Sequence, residues 1–227
     1  MADNVPEKPK GTSSARMMST MGSVGCIAGV LIVMTFQLTF PRIERQKEEY
    51  LRNSVFEVLP GTTKLTIFKI TNDGIFELWK DKGDKKSRKI YAGYDDNGAF
   101  TGVAVQTQGQ GFQDAINLLY GYSPKKQCIV GMKILASKET PGLGDKIEKD
   151  ADFLANFKAL KVVFDPVKKQ VTQPIKTKKK KEQDWEIEAI TGATISSNAI
   201  GEILRKSTIE VIPLILDKEN LRRLEER

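Results

Sequence analysis

From Met17 to Phe40 the chain runs for 24 residues without a charged side chain, and no other feature limits its fold as strongly. A run of that length suits one membrane-spanning helix of about 20 residues with some tilt. Its threonines, serines and glycines temper the hydrophobicity. Gly25-Cys26-Ile27-Ala28-Gly29 is a GxxxG pattern, which reads equally as a packing face for partner helices or as ordinary glycine usage in a membrane helix. A cleaved signal peptide fits less well. The apolar stretch exceeds the usual length of about 7–15 residues, and no small-x-small site precedes Pro41. A retained anchor is therefore expected. Positive residues do not orient it, since Lys8, Lys10 and Arg16 precede the span while Arg42, Arg45, Lys47 and Arg52 follow it.

The rest divides around that anchor. Residues 1–16 are rich in Pro, Lys, Ser and Gly, the composition of a disordered tail. Residues 41–60 read as a juxtamembrane amphipathic helix, with Ile43, Tyr50, Leu51, Val55, Val58 and Leu59 at helical spacing and Pro60-Gly61 as the stop. Residues 61–216 form the main domain. Strands are expected at 65–70, 75–79, 90–94 and 99–106, divided by Asn72-Asp73-Gly74 and Asp95-Asp96-Asn97-Gly98 turns. Helices are expected at 112–119 and at 151–160, the latter with Phe153, Leu154 and Phe157 inward. Further strands fall at 129–136, 162–164 and 185–190. Strands first, with helices interspersed irregularly, argue for an α+β class with a mainly antiparallel sheet. Residues 217–227 are a charged tail, expected to be exposed.

Composition narrows the chemistry. The chain has no histidine and only two cysteines, Cys26 and Cys128. Histidine-based triads, imidazole metal sites and histidine haem ligation are excluded. Structural zinc and a self-contained iron–sulfur cluster each need about four ligands. No disulfide is expected, because Cys26 lies in the hydrophobic run, and Cys128 beside Ile129 and Val130 reads as a small buried hydrophobe. Redox chemistry would therefore require an organic cofactor. The net charge of +7 owes much to Lys176 and Lys178–Lys181. That cluster lacks interleaved aromatics, so it reads as a solvated loop insertion and not as a nucleic-acid surface.

Two motifs remain. Thr191-Gly192-Ala193-Thr194 precedes Ile195-Ser196-Ser197 and a helical repeat in which Ile195, Ala199, Ile200, Ile203 and Leu204 share one face. This is either a capped helix after a tight turn, with Ser196 or Ser197 as N-cap, or a phosphate seat at a helix N-terminus. Glu139-Thr140-Pro141-Gly142-Leu143-Gly144 holds Pro and Gly at the centre of a type II turn.

Together these runs resemble the covalent FMN-binding domain found in the G subunit of the Rnf electron-transport complex. The same domain occurs in the C subunit of the sodium-translocating NADH:quinone reductase. Gly109-Gln110-Gly111-Phe112 with Leu118-Leu119, and Gly121-Tyr122-Ser123-Pro124, look like the family's intermediate landmarks. Glu188 stands where the family usually has aspartate, one methylene longer.

The resemblance implies FMN esterified through its phosphate to Thr194. Thr191, Gly192, Ala193, Ser196 and Ser197 would surround the phosphate, and Glu139, Thr140, Pro141, Gly142, Leu143 and Gly144 would lie against the ribityl or ring. A threonine hydroxyl without a neighbouring base is a weak nucleophile, so a separate flavin transferase is expected to form the bond from FAD. Glu139 disfavours a negatively charged reduced ring, and is expected instead to brace its turn by accepting backbone hydrogen bonds. The resemblance also implies a membrane-anchored electron carrier that works with other membrane subunits and does not turn over alone. Its flavin domain would lie on the periplasmic face of a bacterial inner membrane, with lipid around the anchor. Alternatives are the quinone-reductase subunit, a free-standing membrane-anchored FMN reductase, and a cofactor-free scaffold.

Overall fold

The computed structural model describes residues 13–80 and 87–226. They form two compact units, parting between Tyr50 and Leu51. The expected disordered tail lies mostly outside the described residues, although Ser14–Arg16 are already helical.

Helix α1 (Ser14–Val58) runs for 45 residues with Pro41 inside it. Residues 17–40 and 41–58 therefore lie on one continuous helix. A proline removes one N–H donor, and strong helical sequence on both sides carries the helix through. The part of α1 in the first unit is exposed apart from the half-buried Glu44, and the helix is long and apolar enough to cross a membrane. Its threonine hydroxyls are satisfied internally. Thr20 Oγ1 donates to the Arg16 carbonyl at 2.8 Å, Thr35 to Leu31 and Thr39 to Thr35 at 2.7 Å. That pairing lets threonine sit in an apolar run without unmet polar groups.

The second unit is built on seven antiparallel strands among the described residues. They are β1 (Lys64–Ile70), β2 (Phe76–Leu78), β3 (Lys89–Tyr94), β4 (Phe100–Gln110), β5 (Ala115–Ser123), β6 (Cys128–Ala136) and β7 (Leu160–Lys161). Their order across the sheet is β2-β1-β3-β4-β5-β6-β7. One face forms the main core with α4 (Thr194–Ile215), through residues such as Ile116, Leu118, Tyr120, Ile200, Leu204 and Ile212. The other face packs Tyr91, Ala104 and Leu119 against Val55, Val58 and Leu59 at the end of α1. The class is α+β, with a mainly antiparallel sheet, as expected.

The helix expected over 112–119 is not there. Ala115 to Tyr122 pair with β4 in unbroken register from Gln110↔Ala115 to Val103↔Tyr122. Ile116, Leu118, Tyr120 and Tyr122 serve the main core while Leu119 serves the opposite one. A strand buried on both faces loses the alternation that marks a half-buried strand, and periodicity alone cannot tell it from a helix.

The connection from β6 to β7 carries α2 (Lys146–Lys149), α3 (Ala151–Ala155) and a 3-10 turn at Asn156–Lys158. Phe153 and Phe157 are buried and meet edge to face at 5.2 Å. Past β7 come a short hairpin, β8 (Phe164–Asp165) and β9 (Gln170–Val171), and a parallel pair, β10 (Lys176–Lys178) and β11 (Glu186–Glu188). The lysine cluster is therefore only partly a loop, because its first residues form β10. The lysine ladder can pair because Thr177, between two exposed lysines, turns inward against Gly201 of α4.

The charged tail is likewise not simply exposed. It forms α5 (Lys218–Glu225), with Asn220 and Leu224 buried. Asn220 accepts from the Phe76 N–H at 2.9 Å and donates to the carbonyls of Gly74 and Leu214 at 2.8 and 2.9 Å. Cys128 is buried, and both cysteines are free thiols.

Candidate functional site

The two motifs fold into the same local device. In Thr140–Leu143 the Leu143 N–H donates to the Thr140 carbonyl at 3.2 Å, and Gly142 has φ +78°. In Ile190–Ala193 the Ala193 N–H donates to the Ile190 carbonyl at 3.0 Å, and Gly192 has φ +85°. Each has the bond and positive third φ of a type II turn, which calls for glycine there. A side chain at either glycine would point into open space, so backbone conformation, not crowding, selects glycine. Asp145 steadies the first turn by accepting from the Gly142 N–H at 2.7 Å. The Lys149 ammonium beside Asp145 holds its carboxyl below the usual carboxylate range.

The second turn delivers the chain into α4. Helix α4 begins at Thr194 with Ala193 at the cap position, so neither Ser196 nor Ser197 is the N-cap. Both serines are buried one turn inside. Ser197 Oγ donates back to the Ala193 carbonyl at 2.9 Å and accepts from the Ile190 N–H at 3.1 Å, which locks turn to helix. The first intrahelical bond runs from the Ser197 N–H to the Ala193 carbonyl. Among the described residues, the N–H groups of Thr194, Ile195 and Ser196 have no acceptor. Three donors at the positive end of a 22-residue helix are suited to an anion. Thr191, Gly192 and Thr194 are exposed beside them.

Glu139 joins the motifs. It is 5% exposed. One oxygen, Oε1, accepts from the N–H groups of Phe112 and Gln113 at 2.8 and 3.1 Å, and Oε2 accepts from Ser196 Oγ at 2.5 Å. Its backbone donors come from the loop before β5 and not from its own turn. Thus the loop at 111–113, the turn at 140–145 and the start of α4 meet at one carboxylate.

Each of these segments also exposes a large apolar side chain. Phe112 is 60% exposed, Leu143 54% and Ile195 60%. Ile195 does not share the buried face of α4 as expected. Steps of four residues advance about 400° on a 3.6-residue helix, so the row Ile195–Ala199–Ile203 drifts about 40° per step and leaves the core at its N-terminal end. Phe112, Gln113 and the outward turn of Ile195 were not visible as site features in the sequence. The hint was the Gly109-Gln110-Gly111-Phe112 run, read there only as a family landmark.

Glu188, at the end of β11, accepts from the Lys181 N–H at 3.1 Å, while its own N–H donates to Asn156 Oδ1 at 3.0 Å. A groove of about 560 Å³ runs between the end of β4 and α4, past Gln108, Gly109, Gln110, Ala199, Ile203 and Lys206. Among the described residues no cluster of acidic or cysteine side chains could hold a metal ion.

Residues 111–208 match the family model of the FMN-binding domain. The G subunit of the ion-translocating oxidoreductase complex of Methanosarcina acetivorans is 26% identical over 195 residues, covering 85% of this chain and 91% of that protein. Its counterpart in Vibrio cholerae is 26% identical over 196 residues, covering 80% and 82%. The crystal structure of Shewanella oneidensis NqrC superposes with a TM-score of 0.53 at 18% identity, over 76% of this chain and 87% of that one. The C subunit of the Na(+)-translocating NADH-quinone reductase from Parabacteroides distasonis has the same score and identity, over 69% and 79%. The two solved structures share the fold.

Proposed function

We propose that this chain, whose residues 111–208 match the FMN-binding domain model and which is similar to the oxidoreductase G subunits, is a membrane-anchored flavoprotein electron carrier in an ion-translocating oxidoreductase complex. FMN is held by a phosphoester to Thr194. The single observation that carries this reading is the exposed Thr194 hydroxyl at the start of α4, beside three N–H groups without acceptors.

The residues fit such a group. The N–H groups of Thr194, Ile195 and Ser196 offset phosphate charge, and the helix dipole adds to them. Gly192 lets the backbone approach the phosphate and ribityl without a side chain between them. Phe112, Leu143 and Ile195 supply apolar surface for a planar ring, which would cover side chains otherwise left in water. When bound, FMN supplies one- and two-electron chemistry, and the protein's part is to hold, orient and tune it. An ester retains the cofactor in either redox state. The chain has no histidine to activate Thr194, which supports attachment by a flavin transferase with FAD as donor. Helix α1 supplies the anchor, in contact with lipid and with other membrane subunits, and the domain would lie on the outer face of a bacterial inner membrane.

The link is tested by intact mass after co-expression with a flavin transferase. The chain should gain one FMN less water, Thr194→Ala should lose the increment, and Thr191→Ala should keep it. The opposite pattern in the two variants would move the bond to Thr191.

A further inference from the structure

Among the described residues, Glu139 is a carboxylate enclosed by protein with no ion-pair partner. Lys138, the preceding residue in the chain, is engaged with Asp114 at 2.7 Å. Both carboxylate oxygens accept, and all three partners donate. That is the pattern of an ionised carboxylate held by dipoles. The backbone closes around it. A Cβ at Gly111 would lie 2.5 Å from Oε1, and one at Gly144 would lie 2.8 Å from Oε2. The third partner, Ser196, belongs to the first turn of α4, two residues past Thr194. The carboxylate therefore sits at the helix end whose positive field the cofactor phosphate would share.

We infer that Glu139 is the positioning residue of the flavin site and that its charge holds the flavin's reduction potential down. The inference rests on the flavin reading above. Two consequences come from the same three bonds. Mechanically, Glu139 ties the Phe112 loop and the Leu143 turn to the helix that bears Thr194, so the three exposed apolar side chains keep a common spacing. Electrostatically, it spends part of the α4 field on itself. Two-electron reduction with uptake of one proton leaves the ring with an added negative charge. A fixed, buried carboxylate close to the ring would raise the free energy of that reduced form. Removing the charge while keeping the shape should therefore make reduction easier.

The experiment uses the full-length chain, loaded from FAD by a flavin transferase. E139Q keeps the side chain's size and an oxygen for the backbone donors, but removes the charge and the Ser196 acceptor. Spectroelectrochemistry should show a higher midpoint potential than wild type, with flavin still bound at Thr194. Hydrogen exchange at the Phe112 and Gln113 amides should be faster. S196A keeps the charge and both backbone bonds but cuts the tie to α4, so its potential should rise less than that of E139Q while exchange at the first-turn amides of α4 quickens. A folded, loaded E139Q with wild-type potential overturns the inference, and so does an equal rise in S196A. Should E139Q fail to fold, S196A decides alone, and unchanged exchange at the start of α4 counts against the clamp. A wild-type chain that takes up no flavin overturns the flavin reading instead, before any variant is compared.

Discussion

Gly142 is the residue at which backbone geometry and cofactor chemistry are easiest to separate. Its φ of +78° lies in the left-handed region, and nothing stands within 4 Å of where a side chain would point. Gly142→Val therefore meets no clash but forces a β-branched residue into a conformation it avoids, at about 1–3 kcal/mol of local strain. Relief of that strain would displace Leu143, the next residue. The link at Thr194 should survive in the folded variant, with flavin retained after denaturation, while absorption spectrum and midpoint potential shift. An unchanged spectrum and potential in that variant would show that the Leu143 turn lies away from the ring. Glu139 makes the complementary point. A sequence shows a carboxylate beside a turn, but it cannot show that the donors to it come from residues 26 and 27 positions earlier and 57 later.

At the scale of elements, α4 is the axis of the second unit and α5 is its clasp. Asn220 of α5 holds the β1–β2 turn and the end of α4 together, and the Tyr94 hydroxyl donates to the Leu224 carbonyl at 2.9 Å. Leu224 itself is fully buried. Leu224→Ala should thus cost about 2–5 kcal/mol, the range for emptying a core leucine site, as read by chemical denaturation of the detergent-solubilised protein. A charged tail in water would lose almost nothing, so a change under about 0.5 kcal/mol would restore the tail reading. Helix α5 is hidden in the sequence because only Leu221 and Leu224 bring apolar surface to the core, and its other residues are charged or, in Asn220, polar. Strand β5 is hidden for the opposite reason, since both of its faces are covered.

At the scale of the whole molecule, the chain joins an apolar helix to a domain whose own core needs no membrane. The uncharged stretch of α1 is exposed throughout, whereas the sheet, α4 and the last turns of α1 enclose their apolar residues. Proposed topology places residue 227 outside the cytoplasm. Alkaline phosphatase fused after Arg227 should be active, and a green fluorescent protein exported through the general secretory route at the same position should stay dark. The reverse result would put the domain inside.

Some of this was determined by sequence alone, because it depends on neighbours along the chain. A run of 24 uncharged residues must find an apolar solvent, and glycine at the third place of two tight turns answers a local demand on φ. A helix just past the Thr191–Thr194 run belongs here too, since the apolar repeat announces it, although its cap falls at Ala193 and not at Ser196 or Ser197. What only the tertiary structure decided depends on residues distant in the chain. Pairing with β4 made 115–123 a strand, contact with β1 and β2 drew the C-terminal residues into α5, and Glu139 gathered three segments into one site. Such outcomes turn on which surfaces are covered and which donors arrive, and a linear pattern carries neither.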